Sequence, residues 1–164
     1  MPRLSKALRF WPVVGAVLLT DCATKAVAVR ELSPAHVPHP VAGELLRFTL
    51  AYNTGGAMSL SLGPLTRPLL TVVALVALGA LFTWYRRLAP DATGKLLALA
   101  LLWAGAAGNL WDRVRSPRGV VDFIDVGLGG WRFWIFNVAD VAITVGAVLL
   151  AVLLAREERP RPAG

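Results

Sequence analysis

Pro68-Leu-Leu-Thr-Val-Val-Ala-Leu-Val-Ala-Leu-Gly-Ala-Leu-Phe-Thr-Trp-Tyr85 contains no charged side chain. Its length approaches the roughly 20 apolar residues a helix needs to cross a bilayer core. Such a stretch decides the fold class, because helices and closed barrels are the structures that satisfy their backbone polar groups inside lipid. Working outward, three further apolar segments of similar length stand at about 8–28, 95–112 and 134–155. The 95–112 segment is rich in Leu and Ala, and its Gly105 and Gly108 allow close helix contact. The first segment holds Asp21 and Lys25, and the last holds Asp140. The expected architecture is all-α, four transmembrane helices in a single integral membrane domain over residues 1–164.

Composition agrees. The 164 residues are 56% hydrophobic and only 16% charged, and the mean hydropathy is +0.61. Soluble domains carry about 25% charged residues. The net charge of +7 invites a nucleic-acid partner. That class is excluded because the basic residues flank apolar segments instead of forming one stripe with stacking aromatics. One cysteine, Cys22, rules out an internal disulfide framework.

An even number of spans places both termini on one side. That side holds nine of the 17 basic residues, among them Lys6, Arg9, Arg86, Arg87 and Arg156, against eight on the other, a small excess sharpened by three acidic residues against seven, and it is read as the cytoplasm. The N-terminus mimics a lipoprotein signal, with basic residues, an apolar run and then Cys22. Asp21 stands directly before that cysteine, where a small residue is needed, so an uncleaved first helix is expected.

Two longer stretches, about 29–66 and 113–133, then fall on the far side. The first opens with a Pro-rich loop at 33–40. Leu46, Phe48, Leu50 and Tyr52 then alternate with Arg47, Thr49 and Ala51, the period of a strand with one buried face. Asn53-Thr54-Gly55-Gly56 follows as a turn. Its glycines would let backbone donors and acceptors approach an extended peptide. In the second stretch 120–126 reads as a strand, 127–130 as a turn, and Trp131-Arg132-Phe133-Trp134 as an interfacial lead into the last helix. A small extracytoplasmic β-containing cap is expected.

Depth brings the acids together. At 1.5 Å per residue, Asp21 lies roughly 12 Å and Asp140 roughly 9 Å inside the far interface. Asn109, Asp112 and Arg113 end the third helix there, and Asp122 follows shortly. Two nearby carboxylates cannot both ionise cheaply, so one keeps a proton while the other stays a base. Asp122 and Asp140 would thus supply general acid and base without a metal or a nucleophilic Ser or Cys. Separate capping or ion pairing of each, including Asp140 with Arg113 and Asp125 at a turn, is the structural alternative. Asn109, Asp112 and Arg113 share a helical face. Asp112–Arg113 reads either as an ion pair or as a pair whose arginine holds a substrate carbonyl or lipid headgroup. Asp21 and Lys25 at i, i+4 offset each other's burial, with Lys25 snorkelling outward. His36 and His39 lack a third ligand for zinc. A transporter using Asp21, Asp140 and Arg113, and a metal-dependent phosphotransferase using Asp112, Asp122 and Asp125, are the rival classes.

The motifs together resemble the bacterial lipoprotein signal peptidases (signal peptidase II), intramembrane aspartyl endopeptidases. Five blocks carry the resemblance: Asp21-Cys-Ala-Thr-Lys25, Asn53-Thr-Gly-Gly-Ala-Met-Ser59, Gly105-Ala-Ala-Gly-Asn109-Leu-Trp-Asp112-Arg113, Val120-Val-Asp122-Phe-Ile-Asp125 and Phe136-Asn-Val-Ala-Asp140. The resemblance implies removal of signal peptides from diacylglyceryl-modified prolipoproteins by a cut before the lipidated cysteine. It implies Asp122 and Asp140 as the catalytic pair, with Asp21, Asn53, Asn109, Arg113, Asn137 and Ala139 important for function. Lys25, Gly55 and Asp112 are taken as supporting residues. It further implies four transmembrane helices with an extracytoplasmic β-cradle, the cytoplasmic membrane as location, lipid neighbours and inhibition by globomycin. A monomer without cofactor, metal or nucleic acid is expected. Met58 and Ala107 depart from the family's usual Phe and Leu.

Overall fold

The computed structural model describes residues 5–55, 63–128 and 130–157. Among them are four helices long and apolar enough to cross a membrane. These are α1 (Lys6–Glu31), α2 (Thr66–Arg87), α3 (Thr93–Arg115) and α4 (Val138–Glu157). Each apolar segment becomes a helix; the first three run a few residues past both expected ends. Four described strands, β1 (Pro38–Ala42), β2 (Leu46–Asn53), β3 (Val120–Leu128) and β4 (Trp131–Arg132), form an antiparallel sheet in that order. A 3-10 turn, Gly63–Leu65, precedes α2.

The third helix is central and packs against the other three. Its small residues explain this. A Cβ added at Gly105 would run into the Ala139 carbonyl oxygen, and one at Gly108 would lie 2.6 Å from Asp21 Oδ2. The core below the site is built from Phe10, Leu96, Leu99 and Ala100, all inaccessible to solvent. Phe10 stacks near Tyr85, with centroids 4.3 Å apart. Outward faces stay apolar: Val72, Val76 and Val148 are more than half exposed, as lipid-facing positions should be.

The ends sort as expected. Lys6 Nζ donates to the Arg86 carbonyl at 3.0 Å, Arg9 Nη1 to the Pro90 carbonyl at 2.7 Å, and Lys95 pairs with Glu157 at 2.6 Å. One end of the bundle therefore collects the start of α1, the α2–α3 link and the end of α4. The sheet covers the other end.

Several expected boundaries shift. The fourth helix starts at Val138, not near residue 134. The backbone of 133–136 bonds to β3 instead: Phe133 N–H to the Val126 carbonyl at 2.8 Å, and Phe136 N–H to the Ile124 carbonyl at 3.0 Å. Strand β3 runs on through Leu128 into the expected 127–130 turn, and Pro38 opens β1 inside the expected 33–40 loop. Strand β2 does not alternate cleanly. Thr49 and Leu50 are both buried, because a register shift between Phe48 and Ala51 rotates the strand against β3.

Candidate active site

Asp122 sits on β3, where apolar neighbours Val120, Val121 and Phe123 bury the backbone; it is 3% exposed. The strand begins just after Gly119, whose φ of 94° and contact with the Asn53 carbonyl leave no room for a side chain. The end of β2 pairs there with the start of β3, Asn53 opposite Val120. Asn137 Nδ2 donates to Asp122 Oδ1 at 2.7 Å. The Asp122 carboxyl is pushed up to about 7. Burial is the main cause, the Asp140 charge adds to it, and hydrogen bonds from Asn137 and Asn53 oppose it.

Asp140 lies in the first turn of α4. Its Oδ2 accepts from the Asn137 N–H at 3.1 Å, and its own N–H donates to Asn137 Oδ1 at 2.9 Å. This is a reciprocal cap of the helix start. Asp140 is therefore not six residues inside the helix, as a start near Trp134 had implied. Asn109 Nδ2 donates to Asp140 Oδ1 at 2.8 Å. Asn137 thus touches both carboxylates, and Asn109 holds the second from α3.

Behind them lies a buried charge cluster. Lys25 pairs with Asp21 at 2.8 Å and with Asp112 at 2.9 Å, and donates to Asn109 Oδ1 at 3.1 Å. Lys25 is 4% exposed, so it does not snorkel. It points inward because two carboxylates and an amide oxygen satisfy its donors there. Asp21 Oδ1 accepts from the Ala139 N–H at 2.9 Å, which meets one of the orphan amide groups at the start of α4. Asp112 also accepts from the Val121 N–H at 3.2 Å, tying α3 to β3.

The expected Asp112–Arg113 ion pair is replaced by Asp112–Lys25, since consecutive helical residues do not face each other. Among the described residues Arg113 has no salt-bridge partner. Its Nη1 donates to the Asn109 carbonyl at 3.3 Å, and its own carbonyl accepts from Arg67 Nε at 2.8 Å. Nor does Asp125 cap a turn: it pairs with Arg132 at 2.6 Å and accepts from Thr49 at 2.9 Å. Arg132, Thr49 and Arg67 were missed because their partners lie across the sheet register or on another helix.

A cavity of about 840 Å³ opens over the two carboxylates. Asp122, Asp140, Asn109, Arg113 and Asn53 line its polar floor. Leu70, Val73 and Ile143 make an apolar wall, and Tyr52, Arg47 and Trp134 belong to the cap. Gly55 donates its N–H to Asn53 Oδ1 at 2.9 Å, making the short turn expected there. The rest of that motif, 56–59 with Met58, lies outside the described residues. His36 lines the cavity, while His39 Nδ1 faces the Phe48 carbonyl at 3.3 Å. No group of three or more potential metal-ligating side chains is gathered among the described residues. Ala107, the other departure, is half-buried on α3.

The family model for signal peptidase II matches residues 13–156. The chain is 41% identical over 151 residues to a lipoprotein signal peptidase of Geobacter sulfurreducens, covering 92% of this chain and 93% of that protein. It is 41% identical over 146 residues to one from Pseudomonas aeruginosa, covering 87% and 85%. A solved structure described as a bacterial membrane enzyme superposes with a TM-score of 0.80 at 28% identity, covering 93% and 92% of the two chains. A second, described in the same words, gives 0.76 at 30%, covering 87% and 89%.

Proposed function

The chain belongs to the signal peptidase II family, and from that premise we propose that it removes the signal peptide from diacylglyceryl-modified prolipoproteins with Asp122 and Asp140 as its catalytic pair. The observation that carries this reading is the pair of carboxylates joined through Asn137 and open to one cavity with a polar floor and an apolar wall. The two share one proton. The ionised carboxylate takes a proton from water, and the hydroxide adds to the carbonyl carbon before the lipidated cysteine. The protonated carboxyl donates to the carbonyl oxygen as the tetrahedral diol forms. Collapse breaks the C–N bond, the amine nitrogen gains a proton from the dyad, and the signal peptide leaves with a free carboxylate. A group near pH 7 such as Asp122 suits both halves of that exchange.

Arg113 carries five donors and no carboxylate partner among the described residues, so it offers hydrogen bonds to substrate carbonyls. The apolar wall receives the acyl chains, and the β-cradle lies along the peptide. A globomycin-type inhibitor would occupy the same space. We place the enzyme in the cytoplasmic membrane as a monomer among lipids, with both termini cytoplasmic. Nine basic and three acidic residues on that side, against eight and seven on the other, support that orientation.

Purified Asp122→Asn and Asp140→Asn proteins should remain folded and lose cleavage of a diacylated precursor in a gel-shift assay. Wild-type turnover in either one would sink the assignment.

A further inference from the structure

The two asparagines at the site each have an end that could face either way, since an amide offers a donor at one end and an acceptor at the other. Their surroundings remove the choice. Asn137 Oδ1 accepts from the backbone N–H of Asp140, a group that can only donate. Its Nδ2 is thereby turned to Asp122 Oδ1 and to Asn109 Oδ1, at 2.7 and 3.1 Å. Asn109 Oδ1 faces a second group that can only donate, the Lys25 ammonium at 3.1 Å. Asn109 Nδ2 is left to face Asp140 Oδ1 at 2.8 Å. A flipped Asn109 would set its NH2 against both the ammonium and the Asn137 amide, and its oxygen against a carboxylate.

We propose that Lys25 is a positioning residue for the reaction, fixing through Asn109 the direction in which hydrogen bonds run into Asp140. The proposal rests on the dyad reading above. Lys25 touches neither carboxylate of the dyad in the structure, and it is held by Asp21 and Asp112. The ammonium therefore does more than neutralise the cluster: it decides which end of a buried amide meets a reacting group. The charged groups around the pair are Lys25 and Asp21 from α1, and Asp112 and Arg113 from α3. Lys25 also favours the ionised form of Asp122 through its charge.

The test uses the full-length enzyme and a diacylated precursor. Lys25→Met should lower kcat roughly 10- to 100-fold, the scale seen when a hydrogen-bond partner that orients a metal ligand is removed, with little change in KM. The limb of the pH profile carried by Asp122 should move to higher pH, and Lys25→Arg should restore most of the turnover. A role limited to folding would lower thermal stability without moving the pH profile or separating kcat from KM.

Lys25→Met leaves the buried Asp21 and half-buried Asp112 carboxylates without their shared cation and can fail to fold. Asp112→Asn/Lys25→Met restores the net charge of the cluster and is compared with Asp112→Asn as its parent. A folded neutral variant with its parent's kcat and pH profile overturns the proposal. If neither neutral variant folds, folded Lys25→Arg decides, and complete loss of turnover there overturns it. Asp140→Asn is run alongside. Activity in that protein refutes the dyad itself, whereas an inactive Asp140→Asn beside a fully active Lys25→Met refutes only the role of Lys25.

Discussion

Replacing Asp122 with Asn should abolish turnover and yet make the protein more stable, by an amount that depends on pH. The side chain is 3% exposed, and its carboxyl is raised from 3.8 to about 7. A raised carboxyl means the folded state holds the proton more tightly than the unfolded chain. Its contribution to stability is complete below pH 3.8 and is lost as pH climbs towards 7. The slope in that window is about 1.4 kcal/mol per pH unit, so the full cost is on the order of 4 kcal/mol above pH 7. The amide introduced by Asp122→Asn has no charge to bury and keeps an oxygen for Asn137 Nδ2 to donate to. The stability gained by the substitution should therefore be modest at pH 5 and grow by about 3 kcal/mol by pH 8.

The six tryptophans make intrinsic fluorescence a practical reporter of melting in detergent micelles. Wild type and variant are melted side by side across pH 5–8. The expected signature is a Tm difference that widens by several degrees with rising pH. A difference that stays flat, or is larger at pH 5, would refute the claim that burial raises Asp122. The widening would also show a site that trades stability for function.

Asp140→Asn removes the anion that adds to the rise of Asp122; the pH range over which stability is lost should move down, measured by the same melts. Gly105→Ala should destabilise by about 1–3 kcal/mol, since the methyl meets the Ala139 backbone and Ile143, while Gly15→Ala, with nothing within 4 Å, should leave the Tm level or slightly higher. Arg132→Ala leaves Asp125 buried without its cation and should cost about 2–3 kcal/mol; adding Asp125→Asn should recover much of it, and a double-mutant cycle in thermal stability checks both.

The spans were legible because lipid leaves so few ways to satisfy a backbone, and 67–85 and 95–112 missed their helix ends by only a few residues. The start of α4 was not, since hydropathy cannot see that 133–136 hydrogen-bond to β3. Local spacing found Asp21–Lys25, a pair one helical turn apart. It failed for Asp112 and Asp125, whose cations come from another helix and from across a hairpin. Asn137 and Ala139 were flagged by family resemblance alone. Their physical tasks, bridging two carboxylates and anchoring a helix start to Asp21, needed coordinates.

That late helix start also changes which acid is costly. A carboxylate at the bilayer centre costs about 2.5–3.5 kcal/mol on insertion scales, and Asp140 inside an apolar run looked like such a case. At the N-terminus of α4 it meets the positive end of the helix dipole and the Asn137 N–H, so its presence needs no catalytic explanation. Asp122 also looked costly, in the apolar β-branched run 120–126, and there the cost stands. There it is buried, near an anion, and kept partly charged by Asn137 and Asn53. Asn137 commits its oxygen to the α4 backbone and turns its NH2 to Asp122, its shortest contact there, beside Asn109 Oδ1 and the Val121 carbonyl. The same residue that starts the helix therefore sets the proton balance of the pair. A change at Asn137 should for that reason disturb the pH dependence of cleavage as well as the stability of α4.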